Sequence, residues 1–105
     1  MNKKDSQIRK TLAITEKQFE SQVKDLAKIF GWRYYHTWRS IHSPAGFPDV
    51  IMVRPPRLIF AELKSDKGKP SPAQEAWLND LKGCPTVEVY LWRPVDFEAV
   101  MEILR

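Results

Sequence analysis

The stretch AGFPDVIMVRPPRLIFAELK, residues 45–64, sets two apolar runs on either side of a Pro55-Pro56 pair. Residues 49–53 (DVIMV) are short, apolar and rich in β-branched side chains, which predicts a strand. The prolines end it, because proline has no N–H to give to a strand ladder. Residues 57–64 (RLIFAELK) predict the next strand, and a link this short joins neighbours that run antiparallel. Side chains alternate across a strand, so Leu58, Phe60, Glu62 and Lys64 share one face. Leu58 and Phe60 are expected to pack under a helix, with Glu62 and Lys64 carrying that face into a polar pocket. Asp49 stands at the start of its strand, and antiparallel pairing brings it beside the end of the next one, close to Glu62 and Lys64.

Upstream, Thr15 with Gln18 three residues on predicts a capped helix start. Phe19, Val23, Leu26, Ala27 and Phe30 then recur at helical spacing, and Gly31 supplies the stop. On a wheel of about 100° per residue the apolar stripe is centred about 25° past Phe19. Glu16 lies at about 60°, inside the stripe's edge, and Glu20 at about 100°, on its flank. Glu16 is thus read as the more inward acid, and an inward carboxylate needs a partner because burying it unpaired is costly. Residues 32–37 (WRYYHT) predict a strand and 39–47 (RSIHSPAGF) a loop. Downstream, Ser71 caps a helix with Pro72 at its first position, running to about Lys82 before Gly83. Residues 86–92 (TVEVYLW) predict a fourth strand and 94–104 a closing helix. Trp77, Leu78 and Leu81 are expected in the core.

The order is α-β-β-β-α-β-α. The helix between the third and fourth strands predicts a crossover joining parallel neighbours. The fold class is therefore α/β: a single mixed β-sheet flanked by helices.

The bulk properties suit such a domain. The chain has 105 residues, room for one domain, and a hydrophobic fraction of 43% with 29% charged, near the globular average. Seventeen Lys plus Arg against 13 Asp plus Glu give a formal net charge of +4, compatible with a polyanionic partner without requiring one. Cys84 is the only cysteine, which excludes an intramolecular disulfide and a cysteine zinc cluster, and a lone thiol reads as cytoplasmic. Residues 1–14 form a basic stretch with no apolar run of the signal-peptide kind, and no segment approaches the ~18 apolar residues of a membrane span. The domain reading is a basic tail over 1–14 and one folded domain over 15–105.

Two carboxylates and a lysine gathered at a strand end have a chemical rationale. Carboxylate oxygens are the hard donors that Mg²⁺ or Mn²⁺ prefers. Lysine can orient the attacking water and add positive charge beside a phosphate. Glu16 offers a further carboxylate.

The signature Pro48-Asp49 followed by Glu62-Leu63-Lys64 resembles the PD-(D/E)XK nuclease superfamily. More closely, the chain resembles a stand-alone VRR-NUC domain, the virus-type replication-repair nuclease family. The stretches that carry the likeness are TEKQF at 15–19, GW at 31–32, 45–64 as quoted, SPAQEAWL at 71–78 and VYLWRP at 89–94. The resemblance implies a restriction-endonuclease-like core and phosphodiester hydrolysis with Mg²⁺ or Mn²⁺. It implies Asp49 and Glu62 as metal ligands and Lys64 as the water-activating residue. It places a helix carboxylate at Glu16, although the spacing in more distant Holliday-junction resolvases favours Glu20. It also places Gln74 near the site, where the residues alone would allow an exposed helix position.

The function expected is a DNA endonuclease, cutting four-way (Holliday) junctions as a homodimer, since a two-fold dimer suits paired incisions. Alternatives are a flap or single-strand nuclease and, in another class, a non-catalytic DNA-binding module. A virus-type family is compatible with a phage- or prophage-encoded protein. Arg39, Ser40, His42, Lys67 and Lys69 are candidate phosphate contacts, Arg39 and Lys69 foremost. His36 is read as a packed or edge histidine. Trp32, Tyr34, Tyr35 and Trp38 carry rings able to stack on bases, with core or subunit contact the expected use.

Overall fold

The computed structural model describes residues 13–38 and 42–105. The basic stretch therefore lies, but for its last two positions, outside the described residues, as do Arg39 and Ser40.

The elements follow the predicted order: α1 (Glu16–Ile29), β1 (Arg33–His36), β2 (Val50–Arg54), β3 (Arg57–Leu63), α2 (Pro72–Lys82), β4 (Glu88–Trp92), a 3₁₀ turn (Pro94–Asp96) and α3 (Phe97–Leu104). The sheet has the order β1-β2-β3-β4. The first two pairings are antiparallel and β3–β4 is parallel, with α2 as the crossover. The protein is an α/β domain with one mixed four-stranded sheet flanked by helices. The closing segment departs from a single helix over 94–104, because Pro94 and the bond from Arg93 N–H to Asp96 Oδ2 (2.9 Å) hold its first turn as 3₁₀.

Both longer helices begin in reciprocal caps. Thr15 Oγ1 accepts from Gln18 N–H at 3.1 Å while Gln18 Oε1 accepts from Thr15 N–H at 2.9 Å. Ser71 and Gln74 repeat the arrangement at 3.2 and 2.8 Å. Each box satisfies two of the backbone donors that a helix start leaves open. Gly31, at φ 78°, turns the chain out of α1, a conformation that side chains with a Cβ rarely adopt.

One face of the sheet carries the core. Phe19, Val23, Leu26 and Ala27 of α1 and Val100 and Leu104 of α3 pack on Val50, Met52, Ile59, Ala61, Leu63 and Trp92. On β3 the fully buried apolar residues are thus the odd-numbered set, and Leu58 and Phe60 are only half-buried. The expectation that they pack under a helix is met thinly: Phe60 meets Phe47 edge-on at 6.1 Å, and Phe47 meets Trp77 of α2 at 5.1 Å. The reason is that α1 and α3 cover one face together, whereas α2 alone sits on the other and packs mainly on β4. Leu78 is buried as expected, Leu81 is half-buried, and Trp77 lines a cleft instead of the core.

The turn end of the β2–β3 hairpin, where the Pro55-Pro56 bond is cis, is locked by a guanidinium clamp. Arg54 and Arg57 lie over the Trp32 ring, 4.6 and 4.9 Å from its centroid. The Trp32 indole N–H and Arg54 both donate to the Leu104 carbonyl, at 2.8 and 3.0 Å, tying the end of α3 to the hairpin. Arg57 also grips the Glu88 carboxylate through two nitrogens at 2.7 and 2.8 Å. Trp32 is therefore a core residue whose faces are taken, not a base-stacking one.

The two faces of β3 are expected to differ in energetic weight. Ile59→Ala should cost about 2–5 kcal/mol in urea unfolding, and its neighbour Leu58→Ala under about 2 kcal/mol. Equal losses would contradict the assignment of the core to the Ile59 face.

Candidate active site

At the end of the sheet away from the clamp, three adjacent strands present one row of polar side chains. The register pairs Val50 with Ala61, so one step further Asp49 stands opposite Glu62. It also pairs His36 with Val50, which sets Thr37 opposite Asp49, and Thr37 N–H donates to the Asp49 carbonyl at 2.8 Å. Lys64, two residues beyond Glu62, continues the same face. The antiparallel argument made from sequence is thus realised: Asp49 Oδ2 accepts from the Leu63 N–H at 2.9 Å.

Glu62 is the only charged side chain among the described residues that is buried, at 1% exposure. Its Oε1 accepts from Gln74 Nε2 at 2.9 Å and lies 3.7 Å from Lys64 Nζ. Its Oε2 is buried with no hydrogen-bond partner among the described residues. Burial first, and then the Asp49 carboxylate beside it, push the Glu62 pKa from its ordinary 4.5 up to about 8, while Lys64 pulls the other way. A carboxylate pair this close, with one oxygen left open, is an arrangement that a cation would relieve.

The fit to a hard divalent cation follows from the donors. Among the described residues no group of three or more His, Cys, Asp or Glu side chains is assembled as a metal site, so a cation here would have the Asp49–Glu62 pair as its protein donors. Two carboxylates suit Mg²⁺, which keeps several waters and takes only one or two protein carboxylates.

Gln74 is brought to the site by its helix cap. As the third residue of α2 its Oε1 closes the capping box with Ser71, which leaves its Nε2 to hold Glu62. Gly46 docks the facing loop: at φ 97° it runs so close to Ala73 that a Cβ would meet the Ala73 carbonyl carbon at 2.5 Å. Arg93 fixes the link before α2 by donating to the Ser65 carbonyl at 2.7 Å and to that of Gly68. These contacts shape a cleft of about 970 Å³ lined by Asp49, Lys64, Lys69, Gln74, Thr37, Trp38 and the 43–47 loop.

The reading of Glu16 as the more inward acid of the helix needs a correction. Glu16 is exposed, while Glu20 is half-buried and pairs with His36 at 3.2 Å. The wheel gave azimuth but not height: Glu16 is the first helical residue, and Glu20, about 6 Å further along the axis, lies over β1. Glu20 and Asp49 both act on Tyr34, whose buried hydroxyl is held protonated far above its ordinary range, by burial foremost. Glu20, not Glu16, is therefore the acid of α1 that is held against β1.

Of the other candidates, Lys69 lines the cleft, Lys67 is exposed and does not line it, and His42 is exposed. Thr37 was missed. Its Oγ1 is buried without a hydrogen-bond partner among the described residues, next to Asp49. Strand parity contained that signal, since Thr37 ends the strand that runs antiparallel to the one beginning at Asp49. Among the described residues no helix is long and apolar enough to cross a membrane. No protein-family model matches the chain, and no curated protein matches it.

Glu62 binds its proton more tightly in the folded chain than in the unfolded one. Its contribution to stability is thus fully present below about pH 4.5 and is lost as pH rises through about 8. Glu62→Gln keeps an oxygen for Gln74 and cannot ionise. In chelator it is expected to melt several degrees higher than the parent near pH 9, with little difference near pH 4, each kcal/mol being worth about 4–8 °C. A difference independent of pH would show that the carboxylate is not strained by ionisation.

Proposed function

We propose that the protein is a metal-dependent nuclease that hydrolyses DNA phosphodiester bonds, with a core of the PD-(D/E)XK type. The observation that carries this is the row itself: Asp49 and Glu62 side by side, Lys64 next to them, and a buried Glu62 oxygen with no partner among the described residues, with Asp49 and Lys64 lining one cleft.

Asp49 and Glu62 would hold the cation. When bound there, Mg²⁺ or Mn²⁺ supplies Lewis acidity toward the phosphate and makes water a better nucleophile. The Leu63 N–H fixes one Asp49 oxygen, so the carboxylate is oriented before the cation arrives. Gln74 does the same for Glu62. Lys64, tethered by Glu62 in a nearly closed position, orients the attacking water and places positive charge where charge develops on the phosphate. Glu20, held by His36 at β1, is the helix carboxylate of this reading.

Four-way junctions cut by a homodimer are the substrate that goes with the nuclease reading, because a two-fold assembly presents two sites to two equivalent strands. Flaps and single strands are the competing substrates.

Labelled junctions, flaps, single strands and linear duplex, each with Mg²⁺, Mn²⁺ or chelator, test the proposal. Cleavage is expected only with metal, falling to background in Asp49→Ala and Glu62→Ala. Lys64→Ala should lose about 10²–10⁴-fold and Gln74→Ala about 10–100-fold, as a residue that orients a ligand. Glu20→Gln should slow cleavage and Glu16→Gln should not. Cutting that survives chelator or the carboxylate substitutions would sink the mechanism, and tight binding without cutting under any metal would favour a non-catalytic DNA-binding module.

A further inference from the structure

Trp38 is 80% exposed, more than any other large apolar side chain among the described residues. A lone exposed aromatic is common on protein surfaces. Trp38 differs in where it stands: it follows Thr37, which bonds directly to Asp49, and it lines the cleft that contains Asp49, Lys64 and Lys69. Its ring is braced edge-to-face by His36, 5.5 Å away at 89°, and His36 is itself held by Glu20 at 3.2 Å. The other three tryptophans are engaged. Trp32 is clamped by two arginines, Trp77 meets Phe47, and Trp92 is stacked on Tyr90 in the core.

An open aromatic face with lysines in the same cleft matches a ligand that is anionic at one end and flat and aromatic at the other. A nucleotide has that form, and base–aromatic stacking is tolerant of base identity. In an intact duplex both faces of each internal base are covered by its neighbours, so only an unpaired or displaced base can lie on an indole. The cleft volume, about 970 Å³, reaches the top of the ~300–1,000 Å³ range of ligand sites, enough for a base as well as its phosphate.

We propose that Trp38 is a stacking platform for an unpaired nucleobase flanking the phosphate held at Asp49, Glu62 and Lys64, so that the site takes single-stranded or displaced DNA in preference to intact duplex. This rests on the nuclease reading for the place of the phosphate, but its test does not need cutting.

In the full-length chain carrying Asp49→Asn, equilibrium binding of a fluorescent mixed-sequence single strand and of the matching duplex is measured at one salt concentration. Trp38→Ala is expected to weaken single-strand binding about 5- to 150-fold, with duplex binding changed less than about twofold and Trp38→Phe restoring most of the loss. An abasic position stepped along the strand should reproduce the loss at one site in the Trp38 protein and add nothing in Trp38→Ala. Equal losses on both DNAs, no loss on the single strand, no measurable single-strand binding, or a change in sedimentation showing that Trp38 contacts a second copy would each overturn the proposal. Absence of cleavage by the parent under any metal would instead count against the nuclease reading.

Discussion

The register of the β2–β3 hairpin governs both the core and the cleft. Slipping it by one residue would turn every side chain of one strand to the opposite face. Either Val50 and Met52 or Ile59, Ala61 and Leu63 would leave the contacts with α1 and α3 that bury them almost completely. The same slip would move Asp49 off Glu62. Hydrophobic burial on one face thus sets the geometry of charged groups on the other, and the polar row needs no separate device to align it. The Arg54–Trp32–Arg57 clamp adds a second anchor at the turn end, where guanidiniums close the core and hold the last residues of α3.

Glu62 is where this arrangement is least favourable for the isolated chain. A carboxylate shut away from water beside another carboxylate opposes its own ionisation, and one amide and one ammonium offset that only in part. In the proposed reading its open oxygen and the oriented Asp49 would take a divalent cation, and binding would restore what folding gives up. Gln74 links this site to the start of α2, because one side chain both completes the helix cap and holds the Glu62 carboxylate. Loosening the cap would therefore loosen the carboxylate.

Much of this was legible in residues 45–64. The proline pair between two apolar runs gave the hairpin, and alternation put Glu62 and Lys64 on one face with Asp49 beside them. The capped helix starts at Thr15 and Ser71 were equally plain, since capping is local. What failed was what depends on a third dimension. Azimuth on α1 favoured Glu16, but its height on the helix left it exposed while Glu20 met His36. Leu58 and Phe60 looked like core, but two helices chose the opposite face of β3. Thr37 and the open ring of Trp38 became visible only once β1 was placed against β2 and the cleft had walls.

The central claim is that the Asp49–Glu62 pair is a cation site. Crystals soaked in Mn²⁺ and measured at an energy where manganese scatters anomalously test it most directly. The account expects a peak within about 2.0–2.3 Å of oxygens from both carboxylates, lost in Glu62→Gln. No peak at millimolar Mn²⁺, or one seated only at Glu20 and His36, would contradict it.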